Sequence, residues 1–119
     1  MLRGRLMSPD DATLLDIARA SRLALAFTAA IDVEAFLADP MRQSAVQHQL
    51  VIIGEAVKRL SPEFRAEHAG VAWPEIAGMR DVLIHAYHRV DLRQVWEMVR
   101  ADVPALLAFV EPFLPPETE

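Results

Sequence analysis

The chain contains no cysteine, which excludes a disulfide framework and any thiolate metal site. It has no asparagine either, and eleven of its twelve basic residues are arginine, a bias that points to a hot or GC-rich source. No uninterrupted apolar stretch approaches the ~18 residues needed to span a bilayer. Arg3 and Arg5 are not followed by a long apolar run, so no signal peptide is expected and the cytoplasm is the default compartment. Basic charge is in short supply. The formal net charge of −5 excludes a nonspecific nucleic-acid coat but leaves room for a local basic patch. Internal repeats, alternating strand patterns and long linkers are also missing. What remains, 53% hydrophobic and 24% charged in 119 residues, suffices for one domain with its own core over residues 1–119. About 1–8 and 115–119 are expected to fray.

Helix signals fill the chain. Ser8-Pro9-Asp10-Asp11 offers a serine N-cap, a proline at the first helical position and acids in the first turn. Leu14, Ile17, Ala20, Ala24, Phe27 and Ile31 then recur at three or four residues, predicting a helix over about 9–30. Asp32 can cap a short continuation over 33–38. Asp39-Pro40 repeats the cap-then-proline start for a second long helix, about 40–60, with Val46, Leu50, Ile53, Val57 and Leu60 on one face. Val51 and Ile52 lie elsewhere on that cylinder, so contact on more than one side is expected. Gly54 costs a helix interior up to ~1 kcal/mol relative to alanine; a close approach by another helix would account for it. The polar edge His48, Glu55 and Arg59 reads first as a solvated face with a Glu55–Arg59 pair one turn apart, and otherwise as one wall of a cleft.

Ser61-Pro62-Glu63 starts a short helix through about His68, closed by Gly70. Trp73 is extended by the proline after it, and Pro74 opens a third helix, about 74–88. Asp91 caps a fourth, with Gln94 completing a capping box. Leu92, Val95, Trp96, Val99, Val103, Leu106, Leu107 and Val110 form its apolar face. Pro104 should kink it or thin its hydrogen bonding one turn earlier. The fold class is all-α, an up-and-down bundle of four main helices with one or two short extra helices.

Chemistry gathers in Met79–Asp91. Ile76, Met79, Leu83, Ala86 and Val90 keep helical spacing there, so one side belongs to a core. Arg80 and Tyr87 share one edge; Asp81, His85 and His88 share another. Arg80 and His85, five apart, differ by about 140° of rotation and roughly 7.5 Å of rise on a straight helix. Their meeting requires an arginine that bends back, a helix that loosens near His85, or a second copy of the helix. Histidine suits proton transfer near neutrality, and arginine supplies permanent charge with a two-pronged fit to phosphate. Those are the parts of a metal-independent RNA cleavage. Asp81 is expected to orient His85 by a hydrogen bond across one turn.

The run Arg80-Asp81-Val82-Leu83-Ile84-His85-Ala86-Tyr87, an Arg-x4-His-x-Tyr pattern followed by Val90-Asp91, resembles the signature of the HEPN ribonucleases. It is most similar to the HepT-like toxins of minimal-nucleotidyltransferase toxin–antitoxin modules. Ile53-Gly54-Glu55-Ala56 resembles that family's second helix, and Trp73 with Gly78-Met79 the approach to its motif, so the resemblance covers roughly the whole chain. It implies a dimeric helical domain that cuts RNA without a cofactor in a groove between two protomers, leaving a 2′,3′-cyclic phosphate. His85 would be the general acid/base and Arg80 the phosphate stabiliser, with His88, Arg89, His48, Glu55 and Arg59 as groove candidates. It also implies an antitoxin partner, a small nucleotidyltransferase that attaches AMP to Tyr87.

Other readings stand beside this one. Asp81, His85 and His88 lie on one helical edge and, with His48 or Glu55, could hold a metal ion. Tyr87 could simply pack on a helix shoulder with its hydroxyl tied to a neighbour. A non-catalytic helical dimer that binds nucleic acid or a partner protein is a third reading. It gains weight if Arg59, Arg65, Arg80, Arg89 and Arg93 fail to converge on one surface.

Overall fold

The computed structural model describes residues 8–86 and 89–115. The expectations for residues 1–7 and 116–119, for Tyr87 and for His88 lie outside them. Every regular element among the described residues is helical. The elements are α1 (Pro9–Thr28), α2 (Val33–Leu37), α3 (Pro40–Arg59), α4 (Pro62–Glu67), α5 (Trp73–His85), α6 (Leu92–Glu97) and α7 (Val103–Val110). A π-helical turn, Met98–Asp102, joins α6 to α7, and a 3-10 turn, Glu111–Phe113, follows α7.

The caps explain most of the starts. Ser8 and Asp11 form a reciprocal capping box at α1, and Asp32, Asp39 and Ser61 accept backbone N–H bonds at α2, α3 and α4. Asp91 accepts from the N–H groups of Arg93 and Gln94. The Gln94 side chain does not return the bond, so the expected box is only half made.

Several ends fall earlier than the sequence suggested. Helix α1 stops at Thr28, because the Arg42 guanidinium donates to the Phe27 carbonyl at 2.6 Å and takes the place of a further helical N–H. Helix α4 stops at Glu67, within a residue of the expected end, with His68 and not Gly70 closing it. The His68 carbonyl accepts from the Trp73 indole N–H at 3.0 Å. Trp73 is itself the first residue of α5, with Pro74 in the opening turn. Helix α5 ends at His85, where Ala86 leaves helical geometry at φ −118°, ψ 36°.

Pro104 acts as expected. It has no N–H to donate and its ring crowds the carbonyl four residues back, so the preceding turn widens. The Val103 N–H then reaches the Met98 carbonyl, five residues back.

Polar pairs give the register of α1 against α3: Asp10 with Ser61, Asp16 with Arg59 and Phe27 with Arg42. One number rises as the other falls, so the two helices are antiparallel. Between and around them lie Leu14, Ile17, Ala24, Leu50, Ile53 and Val57, all at most 1% exposed, with Val99 and Val110 covering α1 from the fourth helix. Helix α5 is placed differently. It leans on α3 and on no other long helix to any extent. Between α5 and α7 an apolar cleft of about 510 Å³ stays open, lined by Ile53, Ile76, Met79, Val103, Leu106 and Phe109. One end is shut by a cluster of Phe64, His68, Trp73, Phe109 and Phe113, with ring centroids 4.5 to 6.5 Å apart. The described part of the bundle is thus closed around α1 and α3 and open along one side of α5.

Candidate active site

Gly54 sets the position of α5. A Cβ at residue 54 would lie 2.5 Å from Arg80 Cβ and 3.3 Å from Arg80 Cα and N. Only a residue without a side chain lets the two helices meet here. The expected reason for a glycine inside this helix is therefore met, and its partner is the motif arginine. Arg80 enters the site with its stem pressed on α3 and its side chain 27% exposed.

The guanidinium then bends back along α5. Its Nε and Nη2 donate to Glu55 Oε2 at 3.3 and 3.1 Å, and its Nη1 donates to Asp81 Oδ1 at 3.0 Å. Lys58 Nζ donates to that same Asp81 oxygen, also at 3.0 Å. Lys58 first and Arg80 second hold the Asp81 carboxyl below the usual carboxylate range. Asp81 and then Glu55 push the Arg80 guanidinium further up. The Glu55–Arg59 pair expected from spacing does not form. Glu55 turns to Arg80, while Arg59 crosses to Asp16 on α1 at 3.1 Å.

His85 is the last residue of α5 and is exposed. It accepts nothing from and donates nothing to Asp81, whose Oδ1 is held by the two cations, so the expected orienting bond is absent. The two residues still stand one turn apart on the same edge. Nη1 of Arg80 thus bonds the carboxylate that stands one turn before His85. Gly78, Val82 and His85 follow at spacings of four and three and form the outward stripe of α5. Nothing lies within 4 Å of a Cβ placed on Gly78, and Val82 is 56% exposed.

Of the remaining groove candidates, His48 and Arg89 are exposed. Arg59 faces α1 and is drawn away from the Arg80 edge. Arg93 pairs with Glu34 on α2 and Arg22 with Glu111, so these two arginines tie separate elements together. For the metal reading, His88 lies outside the described residues, and among those described no group of three His, Asp or Glu could hold an ion. The residue beside Arg80 that the sequence did not single out is Lys58, which pairs with Asp81. Its spacing, four from Gly54 and three from Glu55, would have exposed it once Gly54 was taken as the point where α5 lands.

Helices of the described part are all too short or too polar to cross a membrane. The chain matches the family described as ribonuclease HepT-like over residues 17–113. Among curated proteins it is 47% identical over 93 residues to a "Probable ribonuclease HepT" of Thermococcus cleftensis, covering 78% of this chain and 84% of that protein. A protein of Caldanaerobacter subterraneus subsp. tengcongensis with a provisional RNase name is 47% identical over 87 residues, 73% of this chain and 78% of the relative. Another such protein, from Methanocaldococcus jannaschii, is 37% identical over 100 residues, 84% and 92%. No solved structure matches. The match across the body of the chain, the Arg80–His85 segment included, establishes that this protein belongs to the ribonuclease HepT-like family.

Proposed function

We propose that this chain is a metal-independent endoribonuclease and the toxin of a toxin–antitoxin pair, working as a homodimer. The observation that carries the reading is the α5 edge, where the Arg80 guanidinium bonds the Asp81 carboxylate one turn before an exposed His85. In the proposed reaction the RNA 2′-oxygen attacks the adjacent phosphorus, the P–O5′ bond breaks, and a 2′,3′-cyclic phosphate remains. His85 takes the 2′-proton or delivers a proton to the leaving 5′-oxygen; a dimer supplies a second His85 for the other role. Arg80 stabilises the charge that builds on the phosphorane oxygens.

The stripe Gly78, Val82 and His85 supports the dimer. A small residue and an exposed valine beside the histidine give a second α5 a surface to approach, and would set two copies of the site around one groove. Tyr87 follows His85 by two residues and is the position at which a partner nucleotidyltransferase would attach AMP. An adenylate there would add negative phosphate that repels the phosphate of an RNA substrate.

The test is incubation of the pure protein with RNA in EDTA. Cleavage with cyclic-phosphate ends is expected; a requirement for Zn²⁺ or Mn²⁺ would replace the mechanism with a metal-assisted one. Val82→Asp should turn the dimer into a monomer in light scattering and remove cleavage. Co-expression with a nucleotidyltransferase antitoxin should add AMP mass to the wild type and not to Tyr87→Phe. A wild type that binds RNA or the transferase without cutting would make it a binding module instead.

A further inference from the structure

Two cationic donors from two different helices end on one oxygen atom. Lys58 Nζ, from the last turn of α3, and Arg80 Nη1, from α5, each stand 3.0 Å from Asp81 Oδ1. An oxygen held by two charged donors at that distance is an arrangement that carboxylate and phosphate oxygens share. We propose that Lys58 is a second phosphate-binding residue of the RNA site, and that the Asp81 carboxylate occupies the phosphate's place in the free protein. This rests on the nuclease reading above and adds to it a residue, a ligand seat and an occupant that must leave.

The four charged groups have different freedoms. Glu55 accepts from both Nε and Nη2 of Arg80, along the inner edge of the guanidinium. That grip fixes the plane of the fork and leaves Nη1 as the outward donor. Glu55 is therefore a positioning residue. Asp81 is on the outer arc of α5 with its side chain 49% exposed, and rotation about its short side chain returns its carboxylate to water. Lys58 is 43% exposed and reaches the shared oxygen from the opposite helix. Exchange of Asp81 for a phosphodiester thus replaces two charge-assisted bonds by two of the same kind. The exchange seat lies one turn from His85, on the same edge of α5.

Lys58 is the chain's sole lysine. Reductive ¹³C-methylation therefore labels one side chain besides the terminal amine and gives a direct spectroscopic reporter of the seat.

The probe is a fluorescein-labelled 2′-O-methyl oligoribonucleotide, which keeps the phosphates and cannot be cut. Anisotropy titrations at several salt concentrations should show Lys58→Ala binding about five- to tenfold more weakly. Its salt slope should be shallower by about 0.7, the value for one lost phosphate contact on a single strand. Lys58→Arg should restore both. Asp81→Ala should bind more tightly than wild type, and the methyl signal of labelled Lys58 should shift on addition of the oligonucleotide. Lys58→Gln serves if the alanine variant loses helicity. Wild-type affinity and slope in Lys58→Ala would overturn the proposal, as would an Asp81→Ala that loses affinity as Lys58→Ala does. If the wild type still cleaves RNA in either case, the nuclease reading survives without Lys58. A wild type that neither binds nor cleaves takes both away.

Discussion

The two sides of α3 are built by different means. Towards α1, the bundle is closed by apolar packing: Ile17, Ala18, Ala24, Val46, Leu50 and Val57 are all 0% exposed. Towards α5, contact includes a glycine, the stem of an arginine and four charged side chains 27 to 49% exposed. Helix α5 contributes only Trp73 and Leu83 to the buried core, and its flank beside Ile76 and Met79 opens on the cleft. The first seam supplies stability. The second leaves its charged groups within reach of solvent. That openness suits the proposed site for an anionic polymer, because a fully desolvated arginine and lysine would be costly before the ligand arrives.

The sharpest way to break this contrast is at the chemistry. His85→Ala should lower cleavage by about 10²- to 10⁴-fold, the range for loss of a general acid/base. Because His85 is exposed at a helix end, circular dichroism and the melting temperature should barely move. A large loss of stability would mean that the α5 end also holds the fold together.

Next come paired substitutions on the two sides of α3. Leu50→Ala, in the closed seam, should cost about 2–5 kcal/mol in denaturant unfolding, yet retain cleavage per folded molecule. Gly54→Val, in the open seam, should cost about 1–3 kcal/mol from overpacking against Arg80. It should also lower cleavage by about 10²-fold, since α5 must shift and carry Arg80 with it. Equal effects of the two on cleavage would erase the division of labour.

The smallest effect is on pH. One depressed carboxyl caps the start of α3 and another lies in the open seam. Asp39 is lowered chiefly by the Arg42 backbone N–H, and Asp81 by Lys58 and then Arg80. A folded value below the unfolded one stabilises the protein above the ordinary aspartate value of about 3.9 and is lost as pH falls through the lower, folded value. Asp81→Asn and Asp39→Asn should each flatten the acid limb of melting temperature below about pH 4. Acid limbs as steep as the wild type's in both variants would show that neither pair contributes.

Much of the bundle was legible in residue order. Ser8-Pro9, Asp39-Pro40 and Ser61-Pro62 mark helix starts by local hydrogen bonding, and the apolar repeats of 14–31 and 46–60 need no tertiary information to be read. Pro104 announced its widened turn for the same reason, since the missing N–H is a property of the residue itself. The site was legible as a set of residue types and as a resemblance, but its wiring was not. Glu55 has Arg59 one turn away in sequence and Arg80 across a helix interface in space, and the interface won. Asp81 has His85 one turn away and was taken by Lys58 and Arg80.

Residue order by itself determined the helices, their caps and the identity of the chemical groups, because these depend on contacts within four residues. The tertiary structure decided which carboxylate meets which cation, because long charged side chains choose partners by proximity across a seam. That proximity was fixed by one glycine admitting α5 against α3, a distance no local pattern encodes.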